Sequence, residues 1–526
     1  MRELVCAVDV GTGSARAGLF DRQGGMPGRA EHPILINRPR PDHAEHQSED
    51  VWQAVCRAVR GAMAKAGAAP GEVAGISFDA TCSLVVRDRA GAPLGVSQDG
   101  GDRWDTIVWL DHRAIAEAEQ CTDTGHRVLA HVGGAMSPEM QTPKLMWLKR
   151  NRPDSWAAAG HFFDLADFLT WKASGSTARS QCTLTSKWTY LAHDGGWQRD
   201  FFEAVGLGGL VERGGLPDTA TPVGTTLGTL LPRSADELGL DEGCLVGAGL
   251  IDAFAGALGV VGGHADGDIE RHLALVAGTS SCVMGMSREA RHVPGVWGPY
   301  WGAALPGYWL GEGGQSATGA LLDHVVRIHG GRLEPNAETH ARIIARIAEL
   351  RAADDGFAAG LHVLPDFHGN RTPFADAHAR GVVSGLALDA SFDGLCRLYW
   401  RTAVAIALGV RHILDHMNAH GYRIDTLHVT GGHTRNPLLM ELYPDVTGLT
   451  VSESTTEDAV LLGTAMVAAT AAGWHGSLAE SCRAMLQQAR TRRPDPARRD
   501  LYDRDYRIFL RMHEQRRELE ALASAG

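Results

Sequence analysis

Residues Leu4 to Val10 are apolar except for Asp9, and they run directly into Gly11-Thr12-Gly13-Ser14. A short apolar run bounded by a glycine turn predicts a buried strand, and a second strand follows through Leu19-Phe20. Asp21-Arg22-Gln23-Gly24-Gly25 reads as a turn, and Ile34-Leu35-Ile36 predicts a third strand. Ser48 is the expected N-cap of a helix that sets Val51, Val55, Val59 and Met63 on one face at i, i+4 spacing. From Val73 to Phe78 the pattern returns to strand. Three strands, a helix and a further strand open a ribonuclease H-like α/β domain, although other α/β folds share that string.

The device recurs in the second half. Leu273 to Ala277 predicts a strand, Gly278-Thr279-Ser280-Ser281 follows, and Cys282 to Met286 is apolar again. A strand–Gly-Thr–strand unit near the start of each half is the pattern expected of a duplicated domain with a nucleotide in the cleft between the copies. Chance Gly-Thr pairs are the alternative, because the chain holds 64 glycines. Further on, Leu395 to Met417 is helical in pattern, and Thr426 to Thr430 is a strand that enters Gly431-Gly432-His433-Thr434-Arg435-Asn436-Pro437. Thr456 to Ala469 predicts a helix of small residues, in which Gly463 allows close packing. The stretch from Arg490 onward is charged and turn-rich and closes on an amphipathic helix. Glycines cluster from Gly249 to Gly263, which sets the expected boundary between domains 1–262 and 263–526.

Composition agrees with two soluble domains. A chain of 526 residues is too long for one ordinary core. Hydrophobic residues make up 44% and charged residues 21%. The net charge of −12 argues against nucleic acid or an anionic membrane as a partner. A phosphate ligand is still allowed, because backbone N–H groups in glycine-rich loops bind anions without basic side chains. The nine cysteines are scattered and form no Cys-x-x-Cys pair, as expected of a reduced protein. No basic-then-apolar leader and no stretch of membrane-spanning length is seen, so the expected location is cytoplasmic. Among the 24 histidines, His43-Ala44-Glu45-His46 lacks the His-Glu-x-x-His arrangement and sits among turns, so no zinc site is read there.

Six stretches carry a resemblance. They are Trp109-Leu110-Asp111-His112-Arg113-Ala114; Ser137-Pro138-Glu139-Met140-Gln141; Thr183 to Trp188, with Lys187; Pro294-Gly295-Val296-Trp297-Gly298-Pro299-Tyr300; Gly311 to Gly319; and Leu364-Pro365-Asp366-Phe367-His368-Gly369-Asn370-Arg371. In this order they resemble the FGGY carbohydrate kinases, relatives of actin, hexokinase and the heat-shock ATPases, and most of all the D-ribulokinase type. The resemblance implies two ribonuclease H-like (actin/hexokinase-type) domains with an interdomain cleft. It also implies ATP and Mg²⁺ as cofactors and a small sugar or polyol as partner, and it leaves a homo-oligomer open. The first family signature is matched only in its latter part, Lys144-Leu145-Met146-Trp147-Leu148. Phe254 and Gly311 replace a small polar residue or His and an Asn, beside the expected sugar site.

Roles follow residue by residue. Gly11, Thr12, Gly13 and Ser14 from one half and Gly278 and Thr279 from the other are expected on the phosphates, with Arg16 reaching the transferred group. Asp9 is expected to hold Mg²⁺ through water. The alternative for these residues is an ordinary pair of tight turns. Asp252 stands where the family has its catalytic base, and a helix N-cap is the plainer reading. Lys187 and Glu312 match positions that touch sugar hydroxyls. Asp111 is a third candidate, unless it pairs with Arg113 or caps a helix. Gly431 and Gly432 are expected to leave room for adenosine, with Asn436 on the nucleotide and Gly319 opposite. The expected reaction is ATP-dependent phosphorylation of the terminal hydroxyl of a pentulose, D-ribulose first, with ribitol or L-ribulose as alternatives. An actin- or heat-shock-like ATP switch, or a pseudokinase, is the alternative of another class.

Overall fold

The computed structural model describes residues 2–98 and 103–524. The first sheet is built from β1 (Leu4–Val10), β2 (Ser14–Phe20) and β3 (Gly28–Pro33), followed by helix α1 (Ser48–Ala66) and β4 (Val73–Ala80). After helix α2 (Gln181–Lys187), strands β5 (Thr226–Thr229), β6 (Leu245–Gly247) and β7 (Leu250–Ile251) complete it. The order is β5-β6-β4-β1-β2-β3, with β7 also on β4. β1 to β3 form an antiparallel meander, whereas β4 runs parallel to β1.

Helix α3 (Asp252–Val261) leads to the second sheet, which opens with β8 (His272–Ala277), β9 (Ser281–Ser287), β10 (Trp297–Trp301) and β11 (Trp309–Gln315). Helices α4 (Gly319–His329) and α5 (Phe392–Ala419) precede β12 (Thr426–Thr430), α6 (Pro437–Thr447), β13 (Thr450–Ser454) and α7 (Ala459–Ala471). The chain closes with β14 (Ala489–Arg492) and α8 (Arg499–Ser524). The order β10-β11-β9-β8-β12-β13-β14 again sets an antiparallel meander beside parallel strands, so the duplication expected from the paired Gly-Thr loops is present.

Three local expectations need correction. The third strand is Gly28–Pro33, not Ile34-Leu35-Ile36; it packs on α1 so closely that a Cβ on Gly28 would meet Ala62 O at 2.3 Å. Leu35 instead stands 54% exposed. The N-cap of α1 is Gln47, and Ser48 spends its hydroxyl on the buried Asp105. The small-residue helix begins at Ala459, capped by Asp458 through Leu461 N. The α1 face of Val51, Val55, Val59 and Met63 is buried as the spacing requires.

Helices α3 and α7 cross between the two sheets. α7 packs on β1, β4 and β6 of the first sheet, and α3 packs on β8 of the second. Each helix therefore covers the sheet of the opposite half. Their contact is backbone to backbone: a Cβ on Gly463 would lie 1.9 Å from Ala255 O, and one on Gly259 would lie 2.0 Å from Ala459 O. Gly463→Ala should accordingly cost about 1–3 kcal/mol by overpacking. Scanning calorimetry should show a lowered Tm for it, with Gly71→Ala, whose Cβ would meet nothing within 4 Å, as control.

Candidate active site

The ends of β1 and β4 carry Asp9 and Asp79 side by side in parallel register. Both are fully buried. Arg16, opposite Asp9 on β2, reaches Asp9 Oδ2 at 2.5 Å and Asp458 Oδ2 at 3.6 Å. Thr464 of α7 donates to Asp79 Oδ2. Among the described residues, neither oxygen of Asp9 nor Asp79 Oδ1 meets a donor in hydrogen-bonding geometry. Burial above all, then Asp458 and Asp252, push the Asp9 carboxyl above its ordinary range against the pull of Arg16. Burial and Asp9 likewise push Asp79 well above the ordinary carboxylate range. Asp458 also meets Arg29 at 3.4 Å, whereas Asp9 and Asp79 form a buried, under-partnered carboxylate pair that a hard divalent cation with oxygen preference fits. Asp79 and Asp458 are absent from the expected site residues. The signal for Asp79 is in the sequence: one Asp inside the apolar run of β4, at the same end as Asp9 in β1.

The two Gly-Thr loops close alike, with Gly11 N bonded to Ser14 O at 3.0 Å and Gly278 N to Ser280 O at 2.8 Å. A Cβ on Gly13 or Gly278 would meet nothing within 4 Å, so each loop presents open backbone, as a phosphate cradle needs. The Thr12 hydroxyl accepts from Trp109 Nε1 at 2.9 Å, and His46 Nε2 lies 3.0 Å from Thr12 O. The Ser14 hydroxyl donates to Glu31 Oε1 at 2.8 Å.

Asp252 is the first residue of α3, with Ile251 at the cap, so the N-cap reading does not hold. Its Oδ1 accepts from Ala253 N at 2.7 Å. Burial raises its pKa above the ordinary 3.8, with Arg16 and Lys187 opposing and Glu312 adding to the rise. Lys187, at the end of α2, is 2% exposed, and Glu312, on β11, is 5% exposed. Their Nζ and Oε2 atoms meet at 3.3 Å across the two halves, and the ammonium lies 4.5 Å from the Trp297 ring centroid. Burial works against the lysine's charge, yet Glu312 above all holds the pKa above the usual lysine range. Beside this pair Arg371 donates to Glu139 at 3.2 Å, its guanidinium carbon 5.2 Å from the same Trp297 ring. Glu139, Trp297 and Arg371 lie within the six motif stretches, but no spacing rule assigns them to the pair.

Asp111 needs correction. It is fully buried and accepts from Ala44 N, Arg113 N, Arg113 Nε and Arg113 Nη2 at 2.6–2.9 Å. Four donors fill the acceptor capacity of a carboxylate, so nothing is left for a sugar hydroxyl. Arg113 also pairs with Glu45 at 3.0 Å. This motif braces the first loop, through Trp109 on Thr12, rather than reading a ligand.

Gly311 and Phe254 are likewise displaced from the pocket. A Cβ on Gly311 would meet Tyr422 Oη at 2.6 Å, on the face opposite Glu312, because strand side chains alternate. Phe254 is fully buried, two residues past Asp252 and therefore on another side of α3. Gly319 N donates to Gly278 O at 3.0 Å, and its missing side chain makes room for that carbonyl, 2.5 Å from a Cβ. Gly431 needs its positive φ of 86° and lies against Ala277 O. Gly432 lies over Gly278, with 3.7 Å between a Cβ there and the Gly278 Cα. Asn436 caps α6 by accepting from Leu438 N and Leu439 N at 3.1 and 3.4 Å, so only its amide nitrogen is free of the cap.

Comparison with known proteins fits this geometry. Residues 4–259 match the N-terminal domain of the FGGY family of carbohydrate kinases, and residues 273–472 match its C-terminal domain. The chain belongs to the FGGY family. Over 536 residues it is 43% identical to the FGGY carbohydrate kinase domain-containing protein of Homo sapiens, covering 98% of this chain and 97% of that one. It is 35% identical to a D-ribulokinase of Saccharomyces cerevisiae over 88% of this chain and 71% of that protein. The crystal structure of xylulose kinase from Rhodospirillum rubrum superposes with a TM-score of 0.81 at 23% identity, covering 98% of this chain and 99% of that one. This FGGY chain is thus an ATP-dependent sugar kinase with the two-domain actin/hexokinase-like fold. Among its described residues, no helix is long and apolar enough to cross a membrane.

Proposed function

We propose that this FGGY kinase transfers the γ-phosphoryl group of ATP to the terminal hydroxyl of a pentulose, D-ribulose giving D-ribulose 5-phosphate. The observation that carries the substrate class is the Lys187–Glu312 pair, a buried donor and acceptor joined at 3.3 Å beside Asp252. Buried polar groups strongly reject a ligand that leaves them unpaired, so such a pair selects a hydroxylated chain. The resemblance to the D-ribulokinase of Saccharomyces cerevisiae supports the choice of sugar.

In this reading Asp252 is the base. Its Oδ1 is held by Ala253 N, which leaves Oδ2 to accept the proton of the attacking hydroxyl. The hydroxyl oxygen bonds to the γ-phosphorus, the bond to the bridging oxygen breaks, and ADP leaves. With open space at Gly13 and Gly278, the loops Gly11 to Gly13 and Gly278-Thr279 would hold the phosphates from both sides, and Arg16 would meet the transferring oxygens. Gly319 supports the second loop, and Gly431, Gly432 and the amide of Asn436 border the adenosine side. Asp9 would hold magnesium, with Asp79 beside it, and the ion's contribution is to neutralise phosphate charge. Asp111 keeps a bracing role. Residues 1–262 and 263–526 are the two domains of this account.

A ketose carbonyl only accepts hydrogen bonds, whereas the corresponding polyol hydroxyl also donates. Lys187 only donates. D-Ribulose should therefore exceed ribitol in kcat/KM by about tenfold or more, one hydrogen bond to a charged donor. A panel of pentuloses and pentitols in a coupled ADP-release assay checks this. Ribitol as the better acceptor would overturn the ketose assignment.

A further inference from the structure

At the far end of β8 from Gly278, three histidines from three different elements converge. His264 ends the turn Gly262–His264 that follows α3, His272 opens β8, and His428 lies on β12. β8 pairs in parallel with β12 so that His272 faces Thr426, and His428, two residues on, projects to the same side of the sheet. The ring centroids of His264 and His272 are 3.7 Å apart, and that of His428 lies 5.2 and 4.9 Å from them. One nitrogen from each ring falls within 4.8 Å of the others.

His272 Nδ1 lies 2.7 Å from His428 Nε2, a distance that requires one proton between them. A satisfied core hydrogen bond would need only those two rings. The third ring and a carboxylate go beyond it: Asp268 Oδ1 lies 3.2 Å from His272 Nε2 and 3.6 Å from His264 Nδ1. A carboxylate set behind metal-facing imidazoles is the usual way of fixing their tautomer and orientation.

We propose that His264, His272 and His428 form a binding site for a divalent transition metal of the zinc type. Imidazole suits Zn²⁺, Ni²⁺ or Cu²⁺ and not Mg²⁺, so the site is chemically separate from the carboxylates around Asp9. Three histidines supply three positions of a tetrahedron, and water supplies the fourth. On loading, the one proton between His272 and His428 moves to the outward nitrogen of the ring that holds it. The ion ties the turn after α3 to β8 and β12. α3 carries Asp252 at its other end, and β8 and β12 run on to Gly278 and Gly431, so the metal fastens the base-bearing helix to the strands of the second Gly-Thr loop.

The test uses the full chain without an affinity tag, stripped by chelator and held in excess Mg²⁺. Titration with Co²⁺ should give one equivalent of saturable visible absorption, displaced by Zn²⁺, and Zn²⁺ should raise the Tm. His264→Gln and His428→Gln should each weaken binding by at least about tenfold. His264 is partly exposed, so its variant should fold, and it decides the matter alone if His428→Gln does not. Absence of one-equivalent binding in the parent, or parent-like binding by His264→Gln, would overturn the proposal.

Discussion

Asp252→Asn should lower kcat by at least about 10²-fold while the KM for ATP changes little, the scale of losing a positioned acid–base group. The amide keeps the shape and can still accept from Ala253 N, but it cannot take a proton. The same account fixes the acid limb of the pH profile. Burial raises the Asp252 pKa above 3.8, and the working form is the deprotonated one. Activity should therefore fall as pH drops through a midpoint above the ordinary carboxylate value, and Asp252→Asn should lose that limb. Steady-state kinetics of both proteins from pH 4.5 to 9 checks both statements. Turnover by Asp252→Asn at close to the parent rate would remove the base.

Lys187→Met should be nearly as damaging, for a different reason. The ammonium is the partner of Glu312 at 3.3 Å, and both side chains are almost wholly buried. Removing one member of a buried pair leaves the other uncompensated, which costs about 3–5 kcal/mol. kcat/KM for D-ribulose should fall about 10²- to 10⁴-fold, by conversion of that cost, and the advantage over ribitol should narrow. A double replacement, Lys187→Met with Glu312→Gln, should recover part of the lost thermal stability, because the stranded charge is gone. Equal losses for ketose and polyol would show that Lys187 does not read the carbonyl.

The parts of this molecule that are legible in sequence are those set by local rules. β1, β4 and β8 announce themselves as apolar runs, and the loops after β1 and β8 carry the small residues that open backbone requires. The close crossing of α3 and α7 is legible at Gly463. What sequence hides is pairing across the fold. Gly28–Pro33 reads as polar because it is an edge strand on α1, and Ile34, apolar and adjacent, makes one last bond to Gly13 O, past the end of the strand. Asp111 and Lys187 look alike as charged residues in family motifs. Only the structure separates a carboxylate filled by four donors from an ammonium that ties two domains together. Asp79 becomes notable only once β4 lies beside β1, and the histidine cluster only once β12 lies beside β8.

The most direct measurement is the fate of the γ-phosphate. Incubation with D-ribulose, Mg²⁺ and ATP, followed by ³¹P NMR, should show ADP and a single phosphomonoester on the terminal carbon in equal amounts, with almost no inorganic phosphate. Omitting the sugar should stop ATP consumption, because the acceptor hydroxyl beside Asp252 is the nucleophile. ATP converted to ADP and inorganic phosphate at the same rate with and without any pentulose or pentitol would contradict the account.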